Sequence, residues 1–524
     1  MNQNLQSLQP LEDKNKNEGS NTKEKIQNTY TDELYFSICS PIGSLKESVI
    51  KELSDRLSVI YKYDVEIIKL SDFIEQYKTV NFTAQPGKTE IFSKYFFKIT
   101  QGNLLREKYD NRILAELAIA KIYSDRAKTV DDHLIDTNYK SRRKCYIFDS
   151  VKSKDELDLF RSVYTDNFFQ ISIFSPLDER VDNLIHKGFS EPESKEIIQT
   201  DEYQNLESGQ NVRGTFVDGD FFLRVSKNNK VSLADRIERY LHLIFESKII
   251  TPTVEETSMY FAKSAANNSS CLSRQVGACI TDSNGNILST GWNDVPKFGG
   301  NLYRDGNSKD KRCFHNGFCT NDRQKDIIAD DISEILKEDT DLKSFFSNDK
   351  GDFDIIKFNT FKKKIRNSRI KDLIEFSRSV HAEMHAIVLG SQLSGDSMIN
   401  GKLFCTTYPC HNCARHIVLA GITEVYFIEP YVKSKCLILH DDSITEDEKE
   451  VNMVRILIFD GVAPRKYQTF FTSFANRKDK EGNLIRRKLD DIKPKVAKSL
   501  QALPSLERQA IFSLEKYGLL ELTE

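Results

Sequence analysis

The sequence predicts an α/β protein with two consecutive units, each built from strands that alternate with helices. Its length of 524 residues suggests two to four domains. Short buried apolar runs alternate with segments of helical periodicity, the pattern of βαβ units. The composition, with 39% hydrophobic and 29% charged residues, is that of a folded globular protein.

Composition and charge exclude several classes of function. Lys+Arg total 75 and Asp+Glu total 78, and a net charge of −3 argues against a nucleic-acid binder with one large basic face. There is no apolar run long enough to span a membrane, and the first residues lack the apolar stretch of a secretory signal. Ten cysteines in a chain of this length do not make a disulfide scaffold, so we expect a cytoplasmic protein with thiols free to bind metal.

The first unit is predicted at 30–245, after a polar tail at 1–29 that we expect to be disordered. The run 34–39 reads as a buried strand that leads through a turn into a helix. Further strands are expected at 65–70, 146–148 and 168–174, and helices at 104–123 and from a capping box of Ser153 and Glu156 through 163. These elements predict a parallel sheet with helices on both faces, an α/β/α domain.

The second unit is predicted at 246–475 and has the order α-β-β-insertion-α-β-α-β around a central mixed sheet. Its first helix, 254–267, precedes strands at 276–281 and 287–290, which are joined by a tight turn. A polar, charge-rich insertion covers about 297–375. A helix from 381, a strand at 403–406, a helix at 410–420 and a strand at 425–428 follow. The basic tail, 476–524, is expected to be helical, with packing residues Leu506, Ile511, Leu514 and Leu519.

The motif that carries chemistry is His381-Ala382-Glu383 followed by Pro409-Cys410-His411-Asn412-Cys413. This is the pattern of zinc-dependent nucleobase deaminases. Cys410 and Cys413 are three residues apart on one face of a predicted helix, whose N-terminus favours thiolates. With His381 they give three zinc ligands and leave the fourth tetrahedral position open for water.

Glu383 is predicted to be the catalytic proton carrier, because it stands beside the ligand histidine without being a ligand. It is expected to accept the proton of water and to deliver protons to N3 of a cytosine ring and to the departing amine. The competing interpretation is a closed structural zinc site. It requires a fourth ligand, for which the candidates are His385, His411 and Cys405. His411 and His416 are expected to be outer or surface residues.

Around this motif the chain resembles the cytidine and deoxycytidylate deaminase superfamily. The resemblance extends to 271–278 and to the loop 291–296, although Trp292, Asp294 and His385 depart from its pattern. It implies a cytidine-deaminase-like α/β/α fold, with four substrate-binding residues: Asn293 at the sugar hydroxyl, Arg274 near the phosphate, Tyr431 near the base or sugar, and Ala382.

The first unit resembles a P-loop nucleotide kinase with a degenerate motif. Gly43 stands for the second glycine of the motif, but Ser44-Leu45 replace its Lys-Ser pair, and the nearest lysine is Lys46. Gly43, Ser44 and Lys46 are therefore the expected phosphate contacts of a domain that senses a nucleotide or serves as a scaffold, rather than of a kinase. The remaining cations, Arg161, Arg180 and the run 142–144, are expected on a solvated surface.

The fusion of these two units resembles the bacterial anti-phage dCTP deaminases. The resemblance implies a homo-oligomer that converts dCTP or dCMP to the deoxyuridine nucleotide and so depletes dCTP during infection. It also implies an N-terminal domain that regulates activity through a nucleotide or RNA. The sequence leaves open an editing deaminase acting on tRNA or single-stranded DNA, and a non-catalytic, zinc-stabilised regulatory module. It also leaves open whether Cys313, His315 and Cys319 in the insertion bind a second metal or are free.

Overall fold

The computed structural model of the protein describes residues 30–127, 141–203, 211–226, 230–307, 309–348, 350–431, 434–473, 475–490, 492–495 and 502–520. The predicted tail, 1–29, lies outside these residues. Within them the chain forms a mixed α/β structure with two six-stranded sheets, as the sequence predicts. In the described part of the chain, no helix is both long and apolar enough to cross a membrane.

The first half of the chain alternates strands with helices. Its strands are β1 Leu34–Cys39, β2 Asp64–Lys69, β3 Lys144–Asp149, β4 Phe168–Phe174 and β5 Phe221–Arg224. Its helices are α1 Lys46–Val59, α2 Leu70–Gln76, α3 Glu90–Lys108, α4 Ile113–Ala127, α5 Lys154–Tyr164, α6 Leu177–His186, α7 Glu191–Tyr203, α8 Val212–Phe216 and α9 Lys230–Phe245. The four strands predicted from apolar runs are all present.

The first sheet has the order β2-β3-β1-β4-β5, and these strands are parallel. The two-residue strand Gly461–Val462, from far along the chain, adds an antiparallel edge beside β5. All six residues of β1 are buried: Phe36 packs in one core and Tyr35 in the core on the other face. Burial on both faces explains why β1 reads as a continuous apolar run.

The prediction of one helix over 104–123 is wrong, because the structure has two helices with a break at 109–112. The Asp110 carboxylate accepts a hydrogen bond from the Arg112 backbone N–H at 2.9 Å, a local turn that competes with helix continuation. The predicted capping box is also incomplete. The Ser153 side chain makes no cap hydrogen bond, and the Glu156 carboxylate accepts from buried Arg106 at 2.7 Å.

Glu193 joins the N-termini of two helices in this unit. Its carboxylate accepts hydrogen bonds from the backbone N–H and hydroxyl of Thr89, which caps α3, and from those of Ser190, which precedes α7. Burial alone would raise the pKa of Glu193, but these four hydrogen bonds lower it to about 2.

The second half follows the predicted order of elements. Its elements are α10 Val254–Ala266, β6 Gly277–Thr281, β7 Ile287–Trp292, α11 Cys313–Asn316, α12 Thr320–Glu338, α13 Ile355–Arg366, α14 Ala382–Ser394, β8 Lys402–Thr407, α15 His411–Leu419, β9 Glu424–Glu429, α16 Cys436–Leu439, β10 Ile444–Thr445, β11 Val454–Ile458, β12 Gly461–Val462, α17 Tyr467–Phe471 and α18 Leu503–Lys516. The sheet order is β10-β11-β9-β8-β6-β7, and only β6 runs antiparallel to its neighbours. The predicted central mixed sheet is confirmed.

Two glycines let helices approach this sheet from opposite faces. A Cβ at Gly277 would lie 1.9 Å from the Ala262 carbonyl oxygen of α10, and one at Gly291 would lie 2.4 Å from the Ala382 carbonyl oxygen of α14. Gly291 pairs with Ala278, the residue after Gly277, and successive side chains of a strand point to opposite faces. Helix α14, which begins the catalytic motif, is therefore seated directly on β7.

The insertion is more ordered than its polar composition suggests. It contains α11, α12 and α13 and a small aromatic cluster in which Phe346 lies 5.4 Å from Phe358 and 5.2 Å from Phe361, between ring centroids. The Asp354 carboxylate caps α13 by accepting from the backbone N–H groups of Ile356 and Lys357. This cluster gives the insertion a core of its own.

Of the predicted helical tail, 476–524, the structure shows the helix α18, which packs against the first unit, whereas the described residues 476–490 and 492–495 form no helix. All four predicted packing residues of the tail join the core beside α4, and Ile511 and Leu514 are fully buried. The buried guanidinium of Arg126 binds both carboxylate oxygens of Glu507, at 2.9 and 3.0 Å, and those of Glu33 from the start of the sheet. The boundaries predicted between units stay predictions, but the two units are interleaved by α18 and β12.

Candidate metal centre and substrate cavity

Three predicted ligands converge at one point. His381 Nδ1 lies 3.2 Å from the Sγ atoms of both Cys410 and Cys413, and the three donor atoms lie within 4.8 Å of one another. An imidazole and two thiolates are ligands that Zn²⁺ prefers. The group fits Zn²⁺, as the sequence predicts.

Two helix N-termini place these side chains. His381 is the N-cap residue of α14, and Cys410 is the N-cap residue of α15, where its sulfur accepts a hydrogen bond from the Cys413 backbone N–H at 3.4 Å. A helix N-terminus stabilises negative charge, so the position favours thiolate. The strand β8 leads into the short turn before Cys410 and sets its position beside His381.

The protonation preferences of the group suit a cation. The hydrogen bond from the Cys413 thiol, together with His381, lowers the pKa of Cys410 to about 4 although burial opposes the shift. Burial would lower the pKa of His381, but the hydrogen bond to Cys410 and its charge raise it to about 9. Burial raises the pKa of Cys413. Cys410 therefore favours the thiolate and His381 the protonated imidazole. A divalent ion would replace the proton on His381 and balance the charge of the thiolate.

Glu383 lies in the first turn of α14 and is 4% exposed. Burial raises the pKa of its carboxyl group, against the opposing charge of His381. The Cys405 and Cys413 thiols are close enough to interact with this carboxyl group. In the described part of the chain, no lysine or arginine pairs with it. A buried carboxyl group with a raised pKa, beside a metal group in a cavity, is poised to exchange protons.

The residues that could have closed the site as fourth ligands lie elsewhere. His385 accepts at Nδ1 from the Trp292 backbone N–H, and its Nε2 lies 3.2 Å from Asn301 Oδ1. His411 lies 3.7 Å from the Glu375 carboxylate, and Cys405 faces Glu383. Among the residues that the structure describes, no further histidine, cysteine, aspartate or glutamate joins the group. The arrangement favours the open site over the structural one.

A cavity of about 320 Å³ opens onto this group. The predicted metal, catalytic and substrate residues of the second unit all line it, apart from the metal ligands Cys410 and Cys413. It reaches His381, Ala382 and Glu383 at one end. The substrate residues predicted from the resemblance also line it: Arg274, Asn293 and Tyr431. Their roles toward a substrate stay predictions, but the fold brings them together.

Asn293 and Arg274 also organise the cavity wall. The Asn293 side chain accepts from the Val276 backbone N–H at 2.8 Å and donates to the Arg274 carbonyl at 2.9 Å. The Arg274 guanidinium donates to Glu429 at 2.9 Å and lies 5.7 Å from the centre of the Tyr431 ring. This ion pair is half-exposed, so Arg274 can turn toward an incoming anion at little cost.

The three residues that depart from the family pattern, Trp292, Asp294 and His385, each have a structural partner. Trp292 packs edge-to-face on His385, with ring centroids 4.7 Å apart, so these two unusual residues occur together. The Asp294 carboxylate is buried and accepts from the Ser270 backbone N–H and hydroxyl, at 3.0 and 2.9 Å. Asp294 thereby fixes the loop that leads to Arg274.

The sequence did not predict that the insertion forms one wall of the cavity. Thr320, Asn321, Asp322 and Lys325 at the start of α12 line the cavity, as do Lys371 and Asp372. Lys325 is buried, and its Nζ donates to the Lys371 carbonyl at 3.0 Å. The spacing of Lys325 and Lys371 in the sequence does not mark them as cavity residues. Their place in the cavity wall follows only from how the insertion folds.

The thiols of the insertion do not form a second metal group with His315. Cys313 and Cys319 line the cavity, whereas His315 Nε2 lies 3.3 Å from the Asp310 carboxylate. Within the described residues, His381, Cys410 and Cys413 are the group whose donor atoms could hold an ion.

The predicted phosphate loop of the first unit follows β1 and is filled by protein side chains. Gly43 has φ +84°, and a Cβ there would lie 2.7 Å from the Arg180 carbonyl oxygen. The Lys46 ammonium pairs with Asp149 and lies 2.6 Å from the Ser150 hydroxyl. Ser44 is buried.

One backbone N–H of this loop already donates to a carboxylate. Asp201 from α7 accepts a hydrogen bond from the Ile42 N–H at 2.8 Å and pairs with Lys152. Arg180, predicted on a solvated surface, is instead buried and donates to the Ile42 carbonyl at 2.8 Å. The surface prediction for Arg180 is wrong because its guanidinium supports the loop.

Comparison with known proteins supports the deaminase-like character of the second unit. The family described as the cytidine and deoxycytidylate deaminase zinc-binding region matches residues 252–429. The chain is 28% identical over 179 residues to the deoxycytidylate deaminases of Enterobacteria phages T2 and T4, which covers 34% of this chain and 81% and 79% of the phage proteins. It is 40% identical over 55 residues to ComE operon protein 2 of Bacillus subtilis (strain 168), covering 10% of this chain and 29% of that protein.

Solved structures also match a part of the chain. The apo dCMP deaminase of cyanophage S-TIM5 matches with a TM-score of 0.22 and 20% identity, covering 40% of this chain and 100% of the phage protein. The same enzyme in complex with dCMP and dUMP gives a TM-score of 0.22 at 19% identity, covering 40% and 99%. The sequence matches therefore carry the assignment: residues 252–429 form a cytidine- and deoxycytidylate-deaminase-like region.

Proposed function

We propose that the protein is a zinc-dependent deaminase of deoxycytidine nucleotides that acts on dCTP. One observation carries the proposal: His381, Cys410 and Cys413 form an open metal group at the end of a cavity, and the carboxyl group of Glu383, two residues from His381, is buried beside it. The sequence similarity to deoxycytidylate deaminases supports the pyrimidine nucleotide as substrate. The triphosphate and the role in defence rest on the resemblance of the whole two-unit chain.

The chain's own residues supply the proton transfers. Bound zinc, held by the imidazole and the two thiolates, would act as a Lewis acid that lowers the pKa of a water molecule toward about 7. Glu383 accepts one proton of the attacking water and passes it to N3 of the cytosine ring; once the water oxygen is bonded to C4, Glu383 takes the remaining proton of that hydroxyl and gives it to the amine, which leaves as ammonia when the C4–N4 bond breaks. Burial raises the pKa of Glu383, which favours the protonated carboxyl group that must give the proton back.

The remaining wall residues bind and orient the nucleotide. Within the described residues, Asn293 accepts one hydrogen bond at Oδ1 and donates one from Nδ2, which leaves one lone pair and one N–H for a sugar hydroxyl. Arg274 is assigned to the phosphate and Tyr431 to the sugar or base, as the resemblance implies, and both line the cavity. Lys325 and Lys371, from the insertion, line the same cavity together with Asp322 and Asp372, so the preference for a triphosphate rests on the resemblance and not on an excess of positive charge.

The experiment that tests the proposal is deamination by the purified, zinc-loaded chain of dCMP, dCDP, dCTP, CTP and dATP at equal concentration. Ammonia release and the deaminated nucleotide are both measured. We expect turnover of the deoxycytidine nucleotides, with the highest kcat/KM for dCTP. A higher kcat/KM for dCMP would keep the deaminase and overturn the triphosphate preference; turnover of none of them would overturn the function.

The defence role is tested in infected bacteria. Cells that express the chain should lose dCTP and gain deoxyuridine nucleotides after phage infection, and yield fewer phage than cells with Glu383→Gln. Equal phage yields from cells with the unmodified chain and cells with Glu383→Gln would contradict the defence role and leave the proposed enzymatic activity unaffected.

For the first unit we propose regulation rather than phosphoryl transfer. The support is chemical: Ser44-Leu45 replace the Lys-Ser pair, and Lys46 and the Ile42 N–H already bind Asp149 and Asp201. A nucleotide at this loop would have to displace Asp201. Homo-oligomer formation is part of the same proposal, and sedimentation velocity of the full chain tests it.

A further inference from the structure

A second cavity, larger than the first, lies away from the metal group. Its volume is about 450 Å³, against about 320 Å³, and the two cavities share no lining residue. It is enclosed by the end of α9 with the following segment 246–250, by Phe470 of α17, and by the segment 476–489. A volume of this size accommodates a small ligand.

The walls of this cavity are strongly basic. Lys248, Arg477, Arg486 and Arg487 line it, and Glu246 is its one carboxylate. Glu246 is engaged by Arg487, which lies 3.7 Å from its carboxylate and donates to its carbonyl at 3.0 Å.

Two of the arginines have no counter-charge. In the part of the chain that the structure describes, the guanidinium groups of Arg477 and Arg486 form no ion pair or hydrogen bond. The pKa of the neighbouring Lys495 is lowered by burial; the charge of Glu246 opposes this shift and the charge of Arg477 adds to it. Like charges that are held together without an acid repel one another, and an anion would relieve this repulsion. The planar guanidinium fork matches the oxygens of phosphate.

Apolar residues form much of the remaining lining, beside His242, Ser247 and Asn476. Leu243 and Phe470 are buried, and Ile250 and Leu489 pack on the same core. Leu484 and Ile485 also line the cavity and are 59% and 40% exposed, and therefore available to cover a ligand. An apolar slot beside free guanidinium groups suits a ligand with a flat ring at one end and phosphates at the other.

We propose that this cavity binds a nucleoside triphosphate, with the base between the apolar walls and the phosphates on Arg477 and Arg486. The site is separate from both the metal group and the loop after β1. The segment 246–250 that lines it continues into α10, which packs on β6 of the deaminase-like sheet, so an occupant contacts the connection between the two units.

The test measures binding of ATP and of inorganic tripolyphosphate to the full, zinc-loaded chain by isothermal titration calorimetry. ATP is used because it carries no cytosine for the first cavity. The double variant Arg477→Glu/Arg486→Glu is compared with Lys480→Glu/Lys488→Glu, which makes the same charge change at exposed positions of the same segment outside the cavity. Thermal unfolding checks that both variants remain folded.

We expect ATP affinity to fall at least tenfold in the arginine variant and less than twofold in the lysine variant, with tripolyphosphate competing for the site. No ATP binding by the unmodified chain would overturn the proposal. ATP binding that the arginine variant leaves unchanged would place the nucleotide elsewhere. Equal losses in both variants, with tighter binding of a 20-nucleotide RNA, would show a general nucleic-acid surface instead of a nucleotide site.

Discussion

Replacing Glu383 by glutamine removes the proton carrier and keeps the shape of the side chain. General acid–base catalysis contributes about 10²–10⁴ in rate. The other acids that line the cavity are Asp322 and Asp372 of the insertion, and Asp322 lies 3.3 Å from Arg366 and 3.6 Å from Lys325. We therefore expect kcat to fall by about 10³ or more, equivalent to about 4 kcal/mol in the barrier. The KM should change by less than about threefold, since glutamine still forms hydrogen bonds.

The assay is ammonia release from deoxycytidine nucleotides, with zinc content measured in parallel. Glu375→Gln is the matched control, because this exposed acid lies outside the cavity lining and should leave kcat unchanged. The unfolding temperature should not fall, since the amide removes a buried carboxyl group that pays a desolvation cost. Retention of more than a tenth of the activity would refute the proton-carrier role, and loss of zinc would mean that Glu383 is a ligand.

Four further changes test the rest of the structure. Cys410→Ser should reduce bound zinc from about one per chain to near zero by mass spectrometry and abolish turnover, whereas retained zinc would contradict the ligand set. Gly291→Ala should cost about 1–3 kcal/mol or more in urea unfolding, because the new Cβ meets the α14 backbone; an unchanged midpoint would contradict this close packing. Glu507→Ala should cost about 3 kcal/mol by removing one of the carboxylates that neutralise Arg126, and Glu507→Gln should cost less; equal, negligible losses would argue against the buried charge cluster. Because the folded pKa of Glu193, about 2, lies below its ordinary value of 4.5, its stabilisation is present above about pH 4.5 and is lost as the pH falls toward 2. The difference in unfolding free energy between the unmodified chain and Glu193→Gln should therefore shrink over this range, and a constant difference would contradict the shift.

The elements of the deaminase-like unit were predictable because their signals are local. The tight turn at Asn284-Gly285, the helix stop at Gly421 and the apolar strands fix bounds that agree with the structure within two residues. The metal ligands were predictable because the histidine and the two cysteines need a defined spacing to meet at one ion. In contrast, the break at Asp110 depends on a side-chain hydrogen bond that competes with the helix, which periodicity does not register.

Contacts between distant parts of the chain could not be predicted from the sequence. The position of Lys325 over the cavity depends on how the insertion folds back. The burial of Arg180 depends on the loop after β1, and that of Arg126 on a helix almost four hundred residues away. A single sequence reports which residues can be buried, but it does not report which partners neutralise a buried charge.

The interleaving of the two units has a consequence for synthesis on the ribosome. The first sheet lacks its edge strand until Gly461 and Val462 emerge, and Arg126 lacks its second carboxylate until Glu507 emerges. The charge of Arg126 in the N-terminal half therefore stays incompletely neutralised until nearly all of the remaining polypeptide has been translated. A shortened chain that ends before Glu507 should be a target for chaperones and proteases rather than a free-standing regulatory fragment.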